Sequence, residues 1–232
     1  TSIDNYSTGL KENEIEGVIY INSDIELIDQ LESKFDLCFH LAAQSRVQPS
    51  FDNPQESLRV NVLGTSRVME WSRLNNTKVI YAGSSSKHHK PSESPYATYK
   101  FLGEEVCKLY KESYNVNVEI ARFYNVYGPG ENVDEIYGNV IGIWISKILK
   151  GEPLPIVGDG EQKRDFVHVQ DCVDINLWFW KKKINGIFNV GTGSAVSFNQ
   201  VANEVKKNLK RKNIKTKYIS IPKDIINKYQ SY

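Results

Sequence analysis

The sequence of 232 residues predicts a doubly wound α/β fold, in which helices cover both faces of a parallel sheet. Short apolar runs alternate with helical segments of ten or more residues through the first half of the chain. Small or polar residues follow these runs, at Asp4, Asp24, Ala42-Ala43 and Ser84-Ser85. Because ligands bind at the carboxyl ends of the strands in such sheets, this edge is the predicted binding site.

The first part of the chain supplies the alternating elements in order. Residues 1–9 are typical of a strand end that runs into a turn, and residues 36–41 form an apolar run typical of a buried strand. Residues 79–82 form another such run, which leads into three serines. Further strands are predicted at 17–22 and 116–123, and helices at 26–34, 54–74 and 99–114.

Beyond Phe123 the elements become shorter. Gly128-Pro129-Gly130 interrupts the chain, and Gly158-Asp159-Gly160 forms a turn. Helices are predicted at 139–150, 171–183 and 198–209, and a strand at 187–190. We therefore expect a first domain of residues 1–128, to which residues 166–190 return, and a smaller lobe built from 129–165 and 191–232.

The composition excludes several classes of function. A formal net charge of +1 gives no general attraction to nucleic acid or to an anionic membrane. The three cysteines, Cys38, Cys107 and Cys172, are widely spaced, which fits a reducing cytoplasm and no zinc site. The only histidine pair, His88-His89, lacks further metal ligands nearby. No apolar run approaches the roughly 18–20 residues of a membrane-spanning helix.

Tyr96 and Lys100 carry the strongest chemical signal. They lie four residues apart at the start of the helix predicted at 99–114, so both side chains share one face. A lysine beside a tyrosine lowers the phenol pKa from its free value of about 10. With Ser84 at the end of the preceding strand, the three side chains form a proton-abstraction site suited to oxidising an alcohol. The spacing alone also fits a core-edge tyrosine and a solvated lysine.

Nine ordered segments together resemble the extended short-chain dehydrogenase/reductase family, and within it the nucleotide-sugar epimerases and dehydratases. They are Asp4-Asn5 with Gly9, Asp24-Ile25, His40-Leu41-Ala42-Ala43, Asn61 to Thr65, the serine run, Tyr96 with Lys100, Arg122 to Pro129, Gly158-Asp159-Gly160 with Arg164 to Val167, and Asn189 to Gly193. The resemblance implies a Rossmann-type sheet and NAD as the cofactor.

The resemblance also implies a role for each matched residue. Asp4 would hydrogen-bond the adenosine ribose hydroxyls, its carboxylate disfavouring the 2′-phosphate of NADP, and Asn5 would also bind the cofactor. The implied catalytic residues are Ser84, Ser85, Tyr96 and Lys100. Further cofactor-binding residues would be Asp24, Ile25, Leu41, Ala42, Ala43 and Asn61, with Tyr96 and Lys100; substrate-binding residues would be Ser84, Ser86, Asn125 and Arg164. Asp4 as a turn residue, Arg164 in an ion pair and Asn61 in helix packing remain open alternatives.

The chain departs from the family pattern in three places. The family's first strand and glycine-rich phosphate loop would come before Asp4, so we expect a preceding segment of about 30 residues. Lys87-His88-His89 replaces the usual Val-Tyr-Gly, and the loop to Tyr96 is short. The sequence ends at Tyr232, before the substrate-binding arginine found near the end of UDP-hexose 4-epimerases.

The predicted reaction is epimerisation at C4 of a nucleotide sugar, through oxidation by bound NAD and return of the hydride to the other face. A dehydratase would need an acid and a base directly after Ser84, where this chain has Ser85 and Ser86. One alternative is an ADP-glycero-manno-heptose 6-epimerase, which residues 174–179, 186–198, Pro222 and 228–230 resemble. Another is a non-catalytic nucleotide-binding regulator. The resemblance further implies a homodimer joined by the helices at 54–74 and 99–114.

Overall fold

The computed structural model describes residues 1–31, 34–88, 91–211 and 213–220. Contacts within the chain divide it into two units. The first comprises Thr1–Phe123 and Val173–Val190, and the second comprises Tyr124–Cys172 and the described residues from Gly191 onward. The domain limits expected from the sequence stay predictions.

Twelve short strands lie in the described residues. In chain order they are β1 (Ser2–Asp4), β2 (Tyr20–Asn22), β3 (Leu37–His40), β4 (Lys78–Ser84), β5 (Val118–Phe123), β6 (Val126–Tyr127), β7 (Leu154–Val157), β8 (Lys163–Asp165), β9 (Val167–His168), β10 (Ile187–Val190), β11 (Ala195–Ser197) and β12 (Thr216–Ile219).

The same part of the chain contains seven α-helices: α1 (Val47–Asp52), α2 (Pro54–Leu58), α3 (Thr65–Asn75), α4 (Pro95–Tyr114), α5 (Val140–Leu149), α6 (Val169–Lys182) and α7 (Phe198–Asn208). A π-helical turn, Arg59–Gly64, joins α2 to α3. Short 3-10 helices occur at Lys11–Asn13, Ile25–Gln30, Ser85–His88 and Pro91–Glu93.

The first unit is built on parallel strands, which confirms the predicted α/β class. Four strands pair in the order β10-β5-β4-β3, and β1 pairs with β2 in a separate parallel ribbon. Between the ribbon and the larger sheet lies a cavity of about 450 Å³, lined by residues of β1 and β3 and by Trp71 of α3. The expectation that a further strand precedes Asp4 stays a prediction.

The core of the first unit explains why β4 is apolar from Val79 to Ala82. Val79, Ile80 and Tyr81 are at most 1% exposed, and α3 and α4 cover this part of the sheet with Met69 and Cys107. A strand buried on both faces needs a continuous apolar run rather than an alternating one. This packing fixes the carboxyl end of β4, where the serine run begins.

Several predicted elements differ in extent from those observed. Residues 26–34 were expected to form an α-helix, but a 3-10 helix spans Ile25–Gln30. The helix expected at 54–74 contains the π-helical turn. The helix expected at 99–114 begins at Pro95, because the Ser94 hydroxyl accepts a hydrogen bond from the Ala97 N–H (3.1 Å) and so caps it earlier. Tyr96 therefore lies inside α4.

The second unit packs two helices against short strands. The strands form three pairs, β7 with β12 and β6 with β9 in parallel, and β8 with β11 antiparallel. Trp144 and Ile148 of α5, Leu154 and Ile156 of β7 and Val201 of α7 form its core. The Trp144 Nε1–H donates to the Pro155 carbonyl at 3.0 Å, so the buried indole has a partner.

Cys38, Cys107 and Cys172 are free thiols. Among the described residues, no helix combines the length and apolar character needed to cross a membrane. In the same part of the chain, no three His, Cys, Asp or Glu side chains converge as a metal site would require.

Candidate active site

Asp4 is the last residue of β1, and it pairs in register with Asn22, the last residue of β2. The Asp4 Oδ1 atom accepts a hydrogen bond from the Tyr6 N–H at 2.7 Å. Gly9 leaves the second carboxylate oxygen accessible, because a Cβ at that position would lie only 3.2 Å from Oδ2. An exposed carboxylate at the end of a parallel strand suits a ribose diol, so this edge fits a dinucleotide.

Asp24, just beyond β2, is held by its neighbours. Its Oδ2 atom accepts hydrogen bonds from Arg59 (2.9 Å) and from the Asn5 side-chain amide (3.3 Å). Its Oδ1 atom accepts the Glu26 N–H at 3.1 Å and caps the 3-10 helix that begins at Ile25. The hydrogen bond from Arg59 lowers the Asp24 pKa. The predicted residues Asn5, Asp24 and Ile25 are thus brought together beside Asp4.

The segment after β3 is clamped by Asn61. Leu41 is 58% exposed, and the small residues Ala42 and Ala43 follow it. Asn61 is 1% exposed, and its side chain forms two hydrogen bonds with the backbone of Gln44: Nδ2 donates to the carbonyl (3.1 Å) and Oδ1 accepts the N–H (2.9 Å). Asn61 therefore acts on this segment rather than presenting its amide at the strand ends.

The serine run and Tyr96 meet at the end of β4. Ser84 is the last residue of the strand, and the Tyr96 hydroxyl donates to its Oγ at 3.4 Å. The Ser86 hydroxyl also donates to the Ser84 Oγ, at 2.9 Å, and Ser84 and Ser86 are each 8% exposed. Ser85 begins the next 3-10 helix and is half-buried. Ser84 thus joins Tyr96 to the serine run through its hydroxyl.

The first turn of α4 is fixed from two sides. Ser94 caps it, and Pro95 occupies its first position, where a missing N–H costs nothing. The Tyr96 N–H donates to the Ser50 Oγ at 3.0 Å, and the Ser50 hydroxyl donates to the Val47 carbonyl at 2.6 Å. Helix α1 thereby fixes the backbone of Tyr96.

The pKa of Tyr96 is raised, not lowered as the sequence suggested. Removal of the phenol from water raises the pKa, while the hydrogen bond with Ser84 and the positive charge of Arg46 lower it in part. The Lys100 Nζ donates to the Ala82 carbonyl at 2.6 Å.

Lys100 is buried, with 4% of its surface exposed. Its Nζ lies 4.5 Å from the centroid of the Tyr81 ring, a cation–π contact, in addition to its bond with Ala82. Burial lowers the pKa of Lys100 to about 8, against the opposing effects of Cys107 and Glu104. The lysine is therefore held rigidly one helical turn beyond Tyr96.

A buried ion pair lies one further turn along α4. Glu104 is 1% exposed and receives hydrogen bonds from Arg122 of β5, the shortest at 2.7 Å. Gly83 makes room for this pair, since a Cβ there would lie 2.9 Å from both side chains. The pair locks α4 to β5 and so fixes the helix face that carries Tyr96 and Lys100.

The other two predicted substrate residues belong to the second unit. Asn125 adopts a positive φ of 29°, and its Nδ2 donates to the Asp165 carbonyl at 2.8 Å. The Arg164 guanidinium lies 6.0 Å from the Phe198 ring centroid and donates from Nη1 to the Lys163 carbonyl at 2.8 Å. Both side chains are thus fixed by strand and loop backbone within that unit.

Sequence reasoning missed four residues of the first unit that determine this geometry. Glu104 could have been found, because it continues the four-residue spacing of Tyr96 and Lys100 along one helix face. Tyr81 lay within the predicted strand, but its contact with Lys100 depends on tertiary packing. Ser50 and Arg46 belong to α1 and the segment before it, where no helix was predicted.

Known proteins with similar sequences belong to the family that the nine sequence segments resemble. The family model described as NAD dependent epimerase/dehydratase family matches residues 1–191. A Methanocaldococcus jannaschii protein, named provisionally as a UDP-glucose 4-epimerase, is 35% identical over 224 residues, which cover 88% of this chain and 72% of that protein. A UDP-N-acetyl-α-D-glucosaminuronate decarboxylase of Bacillus cytotoxicus is 30% identical over 88% of this chain and 71% of its own length.

Solved structures that superpose on this chain also include a nucleotide-sugar epimerase. The UDP-N-acetylglucosamine 4-epimerase of Methanobrevibacter ruminantium, solved with UDP-N-acetylmuramic acid, superposes with a TM-score of 0.88 at 30% identity. The match covers 95% of this chain and 77% of that structure. The protein belongs to the NAD-dependent epimerase/dehydratase family, whose members include nucleotide-sugar epimerases. This confirms the predicted family, the Rossmann-type fold class and NAD as the cofactor.

Proposed function

We propose that the protein is an NAD-dependent nucleotide-sugar 4-epimerase of the reducing cytoplasm. The observation that carries the proposal is the meeting of Tyr96 and Ser84, 3.4 Å apart at the carboxyl end of β4, with Lys100 held one turn along the same helix. Relatives named as 4-epimerases, including one whose solved structure is similar over most of this chain, support the choice of carbon.

Tyr96 is the base in this proposal, since its hydroxyl is the titratable group beside Ser84. In its phenolate form, Oη accepts the proton of the sugar hydroxyl, and the Ser84 hydroxyl donates a hydrogen bond to the same sugar oxygen. The Lys100 ammonium, fixed over Tyr81, supplies positive charge near the developing negative charge. NAD, when bound, would supply the reversible hydride chemistry that epimerisation at the sugar carbon requires.

The cofactor and substrate groups are assigned to residues at the strand ends. Asp4 and Asn5 would hold the adenosine ribose, Asp24 and Ile25 would cover the adenine, and Leu41, Ala42 and Ala43 would line the cofactor, with Asn61 acting through its hydrogen bonds to Gln44. Ser86, Asn125 and Arg164 serve substrate binding, Arg164 as a charge-assisted donor to the diphosphate. These roles are proposals that rest on the family pattern and on the contacts described above.

Dehydration is not favoured by the residues after Ser84. Ser85 and Ser86 carry hydroxyls that do not act as acid or base near neutral pH. The heptose 6-epimerase alternative rests on sequence segments of which Pro222 and residues 228–230 lie outside the described residues; the relatives named as 4-epimerases favour C4 over it. A non-catalytic regulator would have no use for Tyr96, Ser84 and Lys100 in one cluster.

Product analysis tests the proposal directly. The full-length protein is incubated with UDP-glucose, UDP-N-acetylglucosamine, UDP-glucuronic acid and ADP-heptose in turn, with catalytic NAD, and the sugar ring protons are followed by NMR. We expect inversion at C4 of a UDP-sugar without net formation of NADH. Inversion at C6 of the heptose would replace the 4-epimerase proposal with its alternative, and loss of CO₂ from a UDP-uronic acid would replace it with a decarboxylase.

A homodimer through the helices at 54–74 and 99–114 belongs to the same proposal. Leu63, Leu102 and Leu109 are 53%, 37% and 54% exposed, and Leu102 and Leu109 lie seven residues apart on one face of α4. Exposed leucines aligned on neighbouring helices are typical of a helix-to-helix contact between subunits.

We therefore expect Leu109→Glu to convert the dimer to a monomer in sedimentation velocity at micromolar concentration, because the charge would be buried in the contact. Leu149→Glu is the matched control, since Leu149 is 68% exposed at the end of α5 in the second unit. A monodisperse monomer for the unaltered full-length protein would rule out this interface.

A further inference from the structure

Tyr81 is the aromatic residue over which the Lys100 ammonium lies. The residue is 1% exposed in β4, and the Lys100 Nζ is 4.5 Å from the centroid of its ring. The carbonyl of Ala82, the next residue of the strand, accepts a hydrogen bond from the same Nζ at 2.6 Å. Two adjacent residues of β4 therefore hold the ammonium, one through its backbone and the other through its ring. Because an ammonium has three N–H donors, Lys100 can still donate to a bound ligand.

The position of the Tyr81 ring is fixed by its neighbours. Its centroid lies 5.3 Å from that of the His40 ring on the adjacent strand β3. The His40 Nε2 atom lies 3.0 Å from the Thr65 Oγ1 of α3, which fixes the imidazole in turn. Gly103 of α4 makes room for the phenol hydroxyl, since a Cβ at that position would overlap it. Packing with β3 and α4 therefore keeps the ring against Lys100.

The surroundings of Lys100 make this contact important for its charge. Burial lowers the pKa of Lys100 to about 8, because water no longer solvates the ammonium. Burial and the charge of Lys100 lower the pKa of His40 to about 3, so the imidazole is neutral at pH 7. In such a desolvated place a ring face stabilises an ammonium more strongly than at a surface. The titratable groups around the ammonium are Tyr81 of β4, His40 of β3, Cys107 and Glu104 of α4, and Arg122 of β5, which pairs with Glu104.

We propose that Tyr81 is a positioning residue of the active site that acts through Lys100: its ring face keeps charged the ammonium that the Ala82 carbonyl holds in place. This inference rests on the proposed function, in which Lys100 supplies positive charge near the reacting sugar oxygen. It deepens that function, because it assigns part of the electrostatic effect to a buried residue of the strand.

The test titrates Lys100 itself in the full-length protein with NAD bound. Lysine labelled with ¹³C at Cε is followed by NMR, and the Lys100 signal is identified by its loss in Lys100→Arg. In Tyr81→Leu we expect the Lys100 pKa to fall by about one unit, because the ring stabilises the charged form. Tyr81→Phe keeps the ring and removes only the hydroxyl, so its Lys100 pKa should stay close to that of the unaltered protein.

The pH dependence of turnover gives a readout that a purely structural loss would not move. A lowered pKa removes charge from Lys100 only when the pH approaches or exceeds that pKa. About two units below the Lys100 pKa of the unaltered protein, Tyr81→Leu should therefore turn over nearly as fast as Tyr81→Phe. Well above that pKa it should be about tenfold slower, the factor that corresponds to a shift of one unit.

Met69→Ala is the matched control for the loss of core packing. Met69 is fully buried on α3 in the same core as Tyr81. Its truncation should lower the melting temperature and leave the Lys100 titration unchanged. A second measurement needs no variant of Tyr81 and remains available if Tyr81→Leu does not fold. The Cε protons of Lys100 should resonate upfield of those of Lys181 and Lys182, which are exposed at the end of α6, because Lys100 ends over an aromatic ring.

The inference is overturned if folded Tyr81→Leu titrates Lys100 at the same pH as the unaltered protein, or if the Lys100 protons show no upfield displacement. It is also overturned if Met69→Ala or Tyr81→Phe lowers the Lys100 pKa as much as Tyr81→Leu, or if the loss of turnover in Tyr81→Leu is the same at every pH. Failure of the proposed function gives a different result, namely full turnover by Tyr96→Phe. The Lys100 titration does not depend on turnover, so the two failures are distinguishable.

Discussion

Tyr96→Phe in the full-length protein is expected to lower kcat by about 100- to 10,000-fold, the range that loss of a positioned general base produces. The substitution removes only the hydroxyl that donates to Ser84 at 3.4 Å. The ring, the cap at Ser94 and the hydrogen bond from the Tyr96 backbone to Ser50 all remain. We therefore expect NAD binding, followed by calorimetry, to stay close to that of the unaltered protein.

Tyr99→Phe provides the matched control, because it removes a phenol hydroxyl from the same helix, one turn away. It should retain its turnover and its melting temperature. Normal turnover in Tyr96→Phe would remove this residue from the mechanism, whereas loss of both turnover and NAD binding would indicate that the substitution disturbed the fold.

Arg122→Met is expected to give the largest loss of stability, about 3–5 kcal/mol in the free energy of unfolding. The variant leaves the Glu104 carboxylate without its partner at a position that is 1% exposed. An uncompensated buried charge is costly, because its hydration is lost and no ion pair replaces it. Denaturant unfolding followed by circular dichroism measures the change.

Two comparisons isolate the buried pair. Arg73→Met breaks the Arg73–Glu70 pair, whose side chains are 37% and 42% exposed, and should cost less than about 1 kcal/mol. The double variant Glu104→Leu with Arg122→Met should recover much of the lost stability, because it removes both charges together. Equal losses for Arg73→Met and Arg122→Met would contradict the role assigned to burial.

The sequence predicts most of the first unit because its signals are local. The strand expected at 187–190 is observed as Ile187–Val190, and the apolar run 79–82 lies within β4. The four-residue spacing of Tyr96 and Lys100 places them on one face of α4, as expected from helix geometry. These features depend on residues near one another in the chain.

The rest of the site depends on contacts between distant residues. The Asn61 clamp joins residues 17 apart, and the cation–π contact of Lys100 reaches back to β4. The conformation of Arg46 carries no local signal, because an arginine gives no indication of a positive φ. The short strands of the second unit could not be predicted from the sequence for the same reason, because β7 pairs with β12, which lies some 60 residues later in the chain.

The proposal that hydride leaves and returns at C4 has one direct test. The substrate is the UDP-sugar that shows turnover, prepared with deuterium at C4. The full-length protein is incubated with it in ordinary water with catalytic NAD. NMR and mass spectrometry then report the configuration and the isotope at that carbon. We predict inversion at C4 with the deuterium retained, because the transferred hydride returns to the carbon it left. Inversion with loss of the deuterium to water would mean proton abstraction at carbon, and it would contradict the mechanism proposed for Tyr96, Ser84 and Lys100.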